Sequence, residues 1–198
     1  MLKKKFKFIF ILICAIITTE KSLSIEPSIF VQSTVNRASQ ILSQDTSKNE
    51  KIDKLKLIAK DTVDIRGIGF YTLGKYRKTL NDIQKDKYSE LFYEYFLKSF
   101  SSRLSEYSNP KIDVQSQEKL NENYTIVSSI LVATETRPEV KIQWRIYTKN
   151  PERPMIRDLI IEGLSLARTQ KEEFASIIQT NDGDINALFV SLEKFINN

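Results

Sequence analysis

An α+β fold is predicted by the order of the hydrophobic patterns along this 198-residue chain. Apolar residues recur at helical spacing in the N-terminal half, alternate with a period of two between about residues 111 and 161, and return to helical spacing near the C-terminus. Helices, then neighbouring strands, then helices are typical of helices packed on one face of an antiparallel sheet. We therefore predict one domain with N-terminal helices, an antiparallel meander of about four strands and C-terminal helices.

The first residues have the composition of a secretory leader. Four lysines within the first seven residues precede the apolar run 8–19, and Ser22-Leu23-Ser24 has the small-x-small pattern that signal peptidase cleaves. The run is short for a hydrocarbon core of ~30 Å. We predict a cleaved signal peptide at residues 1–24 and a mature domain at residues 25–198, and a retained N-terminal anchor is the alternative.

Charge and composition exclude several function classes. Without residues 1–24 the chain has 25 Lys+Arg and 24 Asp+Glu, so the basic character of the whole chain belongs largely to the leader and nucleic-acid binding is not indicated. The chain has no histidine, and its single cysteine, Cys14, lies in the leader. This composition excludes disulfides in the mature chain, the common histidine-dependent nucleophilic mechanisms, and zinc sites built on histidine or cysteine.

Two helices are predicted before residue 64. Val31 and Val35 share one face of a helix over residues 27–43. The polar stretch 44–51 is predicted to be a loop, and a second helical stretch includes Leu55. Three of the five glycines then lie between residues 64 and 76, where we predict a pair of short helices with Gly74 at the turn between them.

A long aromatic helix is predicted next. Asn81 and Gln84 form a capping box at its start, and the helix extends to about Tyr107. One broad face is aromatic and apolar, which from periodicity alone is typical of an ordinary core. The residues of this face are Tyr88, Leu91, Phe92, Tyr95, Phe96, Phe100 and Leu104.

The second half begins with strands. The clearest alternation lies in residues 140–147, where Ile142, Trp144 and Ile146 share one face. Residues 124–134 are apolar on both faces, so the pattern does not show which face is buried. The full set of predicted elements is strands at 111–116, 124–134, 140–147 and 155–161, followed by helices at 167–180 and 184–197. Patterning does not distinguish a filled core from two layers that hold an apolar ligand between them.

Three segments occur in a specific order. The sequence LGKYRK at residues 73–78 precedes the aromatic helix, Gln143-Trp144-Arg145 lies in the alternating strand, and DLIIEGLSL occupies residues 158–166. Together they resemble the MlaC-type (toluene-tolerance, ABC transporter auxiliary) family of phospholipid-binding proteins, whose last strand ends in D-x-x-x-E-G-[VL]-S. The resemblance covers roughly residues 27–198.

The resemblance implies a curved sheet and helices that enclose an apolar cavity for phospholipid tails. It also implies a periplasmic carrier that shuttles phospholipid between complexes of the inner and outer membranes of Gram-negative bacteria and so maintains outer-membrane lipid asymmetry. The partners would be an inner-membrane ABC transporter complex and an outer-membrane lipoprotein complex. We expect a monomer with bound phospholipid as cargo and with no other cofactor, no metal and no nucleic-acid partner.

The expected cavity has two walls and an entrance. Phe92, Phe96 and Phe100 would line the helical wall, with Phe96 opposite Trp144. The expected sheet wall is Ile130, Trp144, Ile146, Leu159 and Ile161; the expected entrance is Ile68, Tyr71 and Tyr76. Lys75 and Arg77 would meet the lipid phosphate at the mouth, and solvated surface charge is the alternative reading of both.

Two other functions remain open at this point. A periplasmic chaperone or interaction module would have a filled core and no lipid ligand. An enzyme would have to use carboxylates such as Asp64, Asp158 and Glu162, although Asp158 and Glu162 are better explained as acceptors for nearby backbone N–H groups. We expect no catalytic residue.

Overall fold

The computed structural model describes residues 24–198. The signal-peptide prediction for residues 1–24 lies outside this range apart from Ser24. The elements, in chain order, are α1 (Pro27–Ser43), α2 (Lys48–Thr62), α3 (Ile65–Thr72), a 3₁₀ segment (Gly74–Lys78), α4 (Asp82–Leu104), β1 (Ile112–Asn121), β2 (Tyr124–Leu131), β3 (Val140–Tyr147), β4 (Met155–Ile161), β5 (Leu164–Ser165), α5 (Leu166–Gln179) and α6 (Ile185–Asn197). The predicted α+β class and the order of helices, strands and helices are confirmed.

Local sequence signals set where the long helices begin. The predicted capping box at the start of α4 is present, with the Gln84 N–H donating to Asn81 Oδ1 at 2.9 Å and the Asn81 N–H donating to Gln84 Oε1 at 3.1 Å. A second capping box joins Ser47 and Glu50, so α2 begins at Lys48, within the stretch 44–51 that we predicted to be a loop. The serine–x–x–glutamate spacing was available in the sequence and is the signal that the loop prediction missed.

The strands form one antiparallel sheet in the order β1-β2-β3-β4-β5. The meander thus has a fifth strand, β5, beyond the predicted four. It contains two residues, which is too short for an alternating pattern to show. Glu162 and Gly163 connect β4 to β5 with φ values of 48° and 84°, in the left-handed region that two-residue hairpin turns require.

The pairing register divides the sheet into two faces. Val127 lies opposite Trp144, and Ser129 lies opposite Ile142. We call this side the inner face; in β2 and β3 it comprises Thr125, Val127, Ser129, Leu131, Val140, Ile142, Trp144 and Ile146. We call the opposite side the outer face; its residues are Tyr124, Ile126, Ser128, Ile130, Lys141, Gln143, Arg145 and Tyr147.

Helices cover the inner face. Helix α1 packs against β1 and β2, while α3 and α5 pack against β4. The buried cluster that joins these helices to the sheet includes Val127 and Ile146, both fully buried, and in the described residues it includes no outer-face residue of β2 or β3. The helices therefore pack against one side of β2 and β3, as the alternation in β3 predicted.

The edge of the sheet at β4 is covered twice. β5 pairs with the C-terminal end of β4, and Val63, between α2 and α3, forms a parallel bridge with Ile156. The Asp64 N–H also donates to the Ile156 carbonyl at 3.0 Å. This contact places α3 beside the sheet edge. Between residues 24 and 198, no helix has the length and apolarity that a membrane crossing requires.

Candidate functional site

The inner face carries one polar pair. Trp144, 8% exposed, donates from Nε1 to Ser129 Oγ at 2.8 Å, and Ser129 Oγ lies 3.3 Å from the Ile142 carbonyl, to which it donates. A buried indole N–H needs such an acceptor. Sequence reasoning missed Ser129, because the residue of β2 that lies beside Trp144 is set by the pairing register, which the sequence pattern does not give.

The aromatic face of α4 has a closed end and a more open end. Phe92 is buried and meets Phe174 of α5 edge-on, with ring centroids 6.2 Å apart. Phe96 and Phe100 are only half-buried, and their rings stack with centroids 5.5 Å apart at an interplanar angle of 12°. Phe92 therefore lies within the buried cluster, whereas Phe96 and Phe100 keep accessible aromatic surface at its edge.

The helical wall and the sheet wall contribute to one apolar cluster, but different elements pack against each of them. The backbone of α4 packs mainly against α2, α3 and α6, while the sheet is packed by α1, α3 and α5. Phe96 and Phe100 border the same cluster that contains Trp144 and Ile146. That Phe96 lies directly opposite Trp144 stays a prediction.

Two further residues of the expected sheet wall share the inner face. Leu159 pairs with Trp144, and Ile161 pairs with Ile142. Both are half-buried and lie near the covered edge of the sheet. The inner face therefore brings four expected wall residues together: Trp144, Ile146, Leu159 and Ile161.

The fifth expected wall residue, Ile130, lies on the other side of the sheet. It pairs with Lys141, and the alternation along β2 points it away from Trp144. The expectation that Ile130 shares a wall with Trp144 is corrected by this register. The physical reason is that β2 is apolar on both faces, so a one-residue difference in phase left the pattern unchanged.

Ile130 instead borders a cavity of about 300 Å³ on the outer face. Exposed Lys141 and Gln143 and half-buried Ile160 contribute to its lining. Its mixture of polar and apolar side chains differs from the apolar character of the inner face. The Glu162 carboxylate at its rim accepts the Lys141 backbone N–H at 2.5 Å.

The expected entrance residues lie at different depths. Ile68 is buried in the core cluster, Tyr76 is half-buried, and Tyr71 is exposed. Lys75 Nζ lies 5.2 Å from the Tyr76 ring centroid, and Arg77 is exposed on the 3₁₀ segment. Tyr71 and Tyr76 are therefore accessible from solvent, whereas Ile68 is not. That the three residues border an entrance stays a prediction.

The three carboxylates of the enzyme alternative all have structural partners. Asp64 caps α3 by accepting the Gly67 N–H at 2.8 Å and pairs with Arg157 at 2.6 Å. Asp158 accepts the Ala167 N–H at 3.0 Å at the start of α5, and Glu162 holds the β4–β5 turn against β3. The motif D-x-x-x-E-G thus joins the last strands to α5, which matches the expectation that Asp158 and Glu162 accept backbone N–H groups.

Fold and site together define a class: a small α+β protein whose helices cover one apolar face of an open antiparallel sheet, with half-buried aromatic side chains at the margin. Comparison with known proteins identifies the family within this class. The sequence profile of the MlaC protein family matches residues 32–194, and the chain belongs to that family.

Individual relatives agree with this assignment. The chain is 23% identical over 202 residues to the intermembrane phospholipid transport system binding protein MlaC of Haemophilus influenzae, covering 98% of this chain and 93% of that protein. Its fold is similar to that of a phospholipid-binding protein from Ralstonia solanacearum solved in complex with a phospholipid. The TM-score is 0.73 at 16% identity, covering 87% of this chain and 98% of the other. The family resemblance of the sequence motifs is confirmed.

Proposed function

We propose that the mature protein carries phospholipid through the periplasm, with the acyl chains against the inner face of the sheet and the open end of the α4 aromatic face. Membership of the MlaC family is the observation that carries this proposal. The phospholipid named for the two similar proteins agrees with it. The bound phospholipid is cargo, and the proposal includes no catalytic step and no further cofactor.

The expected energetics suit a carrier. Each buried acyl CH₂ contributes about 0.8 kcal/mol, so two chains contribute on the order of 20 kcal/mol before the costs of binding. Affinity therefore needs apolar surface rather than a charged clamp. Phe92, Phe96 and Phe100 would form the helical wall of the site, and Trp144, Ile146, Leu159 and Ile161 the sheet wall.

The entrance and the partners complete the proposal. Tyr71 and Tyr76 would border the mouth in front of Ile68, with the headgroup near Lys75 and Arg77. The cargo would pass between an inner-membrane ABC transporter complex and an outer-membrane lipoprotein complex, with the carrier as a monomer. The words "intermembrane" and "transport system" in the description of the similar Haemophilus protein support this assignment. Maintenance of outer-membrane lipid asymmetry would follow from such transport.

The test is extraction of the natively purified protein with organic solvent, followed by mass spectrometry. We expect phospholipids with mixed headgroups. The variant Phe96→Asp places a charge on the half-buried apolar wall and should remove most of the bound lipid without unfolding the domain, because the side chain can reach water. Ile83→Asp is the matched control: it adds the same charge to the same helix at a side chain that is 82% exposed, and should keep the lipid.

Two results would contradict the proposal. Recovery of no phospholipid from the wild-type protein, with a competent extraction control, would favour the chaperone or interaction module with a filled core. A folded Phe96→Asp protein with a full complement of lipid would show that the cargo lies elsewhere. Thermal melts on the same samples separate loss of lipid from loss of fold.

A further inference from the structure

Positive charge is concentrated in two segments of the mature chain. Residues 65–80 and 163–171 contain six Lys and Arg residues and no Asp or Glu. We call these two segments the basic surface; its cations are Arg66, Lys75, Arg77, Lys78, Arg168 and Lys171. The remaining mature residues carry 19 Lys+Arg and 24 Asp+Glu, so this positive surface belongs to an otherwise acidic molecule.

The two segments meet in the fold. Helix α3 contacts both the 3₁₀ segment and α5. Lys171 of α5 lies with Nζ 5.4 Å from the Tyr71 ring centroid, and its Cε is 2.9 Å from where a Cβ on Gly74 would be. The left-handed backbone at Gly74, with φ of 54°, therefore lets the lysine stem lie against the turn. One side chain thus joins α5 to both parts of the other segment.

The cations of the basic surface are not neutralised by the protein. In the part of the chain that the structure describes, none of the six lies within 4.0 Å of a carboxylate. Two of the neighbouring acids have other contacts: Glu173 accepts from Gln170, and Asp82 pairs with Lys85. The surface therefore presents unpaired positive charge to a partner.

The two segments of the basic surface also carry exposed apolar side chains. Leu164 is 69% exposed and Leu166 44% exposed, on either side of the residue that caps α5, and Tyr71 is 42% exposed beneath Lys171. Leucine and tyrosine with surrounding lysine and arginine form the combination that enters a bilayer interface, where apolar tips reach the acyl boundary and cations stay with phosphates.

We propose that the basic surface docks reversibly on a phospholipid bilayer that contains anionic lipid. The biological setting rests on the proposed carrier function, but the docking is a separate property of the surface. It would bring Tyr71 and Tyr76, the expected mouth residues, against the membrane. Each lysine or arginine near an anionic surface strengthens binding by about fivefold, so a few unpaired cations and two leucines give a weak, salt-sensitive contact.

The test is co-sedimentation of the protein purified from cells with two kinds of vesicle. One contains phosphatidylglycerol and phosphatidylethanolamine, and the other phosphatidylcholine alone. We expect binding to the first at low salt, weakening as salt rises, and little binding to the second. The variant Lys78→Glu/Arg168→Glu, which leaves Lys75 and Arg77 in place, should reduce partitioning by about 25-fold or more.

Two further variants make the outcome decisive. Lys48→Glu/Lys149→Glu reverses two exposed cations in other elements and should sediment like the wild type, whereas Leu164→Ser/Leu166→Ser should weaken partitioning by about tenfold. Bound phospholipid is measured on the same samples and should be unchanged in all three variants.

Equal binding to both vesicle types, or full binding by Lys78→Glu/Arg168→Glu, would overturn the docking proposal. So would a wild-type protein that carries phospholipid but sediments with neither vesicle; in that case the cations would serve an acidic protein partner. Loss of cargo lipid in Lys78→Glu/Arg168→Glu would also overturn it, since the residues would then act on the cargo site. A wild-type protein without cargo that still binds anionic vesicles would contradict the carrier function alone.

Discussion

The two faces of the sheet differ in burial and polarity although the same strands form both. On the inner face, Trp144 and Ile146 are buried and join the helices in one apolar cluster, and the polar atoms of Trp144 and Ser129 satisfy each other. On the outer face, Lys141 and Gln143 are exposed beside a cavity of mixed polarity. The contrast shows that apolar residues in a strand do not by themselves identify the face that the helices cover; the pairing register identifies it.

The largest expected effect is a difference in unfolding free energy between substitutions at two adjacent residues of β3. Trp144→Ala removes a buried indole from the inner face and leaves a cavity, which should cost about 3–5 kcal/mol of unfolding free energy and lower the melting temperature by about 10 °C or more. Gln143→Ala, one residue away on the outer face, should change stability by less than about 0.5 kcal/mol. Thermal melts of both variants measure the difference. Similar losses in the two variants would mean that both faces are packed.

A smaller effect is expected at the one buried carboxylate of the sheet. Asp158 pairs with Arg145 on the outer face, yet it is buried and accepts hydrogen bonds from Ser165 Oγ at 2.6 Å and from the Ala167 N–H. Asp158→Ala leaves these donors without an acceptor and should cost about 2–4 kcal/mol in urea unfolding.

Glu162 supplies the control for that change. Glu162→Ala removes an exposed acceptor from the same motif and should cost about 1 kcal/mol, because water can reach the Lys141 N–H that it frees. If Asp158→Ala costs no more unfolding free energy than Glu162→Ala, water reaches the outer face at β4 more readily than the contacts of Asp158 indicate.

The smallest expected effect tests the corrected position of Ile130. Ile130→Ser on the outer face should cost about 1 kcal/mol and leave the amount of bound phospholipid unchanged, since the residue is half-buried and points away from Trp144. Lipid quantification with a thermal melt on the same sample checks both parts. A marked loss of lipid would show that the cargo reaches the outer face.

Elements with a clear hydrophobic period or a clear capping motif could be predicted from the sequence. Strand β3 alternates without interruption, and both its bounds and its buried face were predicted correctly. Helix α4 begins at the predicted capping box, and the short helix and 3₁₀ segment around Gly74 match the predicted pair. In these places local chemistry and tertiary packing require the same conformation.

The other differences arise where the pattern was ambiguous or too short. Strand β1 continues to Asn121, past the predicted end at residue 116, because its exposed polar residues still pair with β2. Pairing is a property of two strands, and a polar edge strand leaves no alternation to detect. The side of β2 that bears Ile130 and the buried partner of Trp144 likewise depend on register, which is fixed by tertiary contacts.

The ion pair of Asp64 with Arg157 has a consequence for how the chain folds. The two residues are 93 positions apart. Arg145 pairs with Asp158 and Ile146 pairs with Ile156, so Arg157 is the extra residue of a bulge in β4. Arg157 also donates to Tyr124 Oη at 3.1 Å, and its guanidinium lies 4.0 Å from the Tyr147 ring centroid. The meander forms from contacts that are near in sequence, whereas α3 has its anchor on the sheet only after β4 has been synthesised. Closing this long loop is entropically costly and is expected to come late. We therefore expect α3 to complete its attachment to the sheet after the hairpins have formed. A chain truncated before residue 157 lacks the arginine to which Asp64, at the start of α3, attaches.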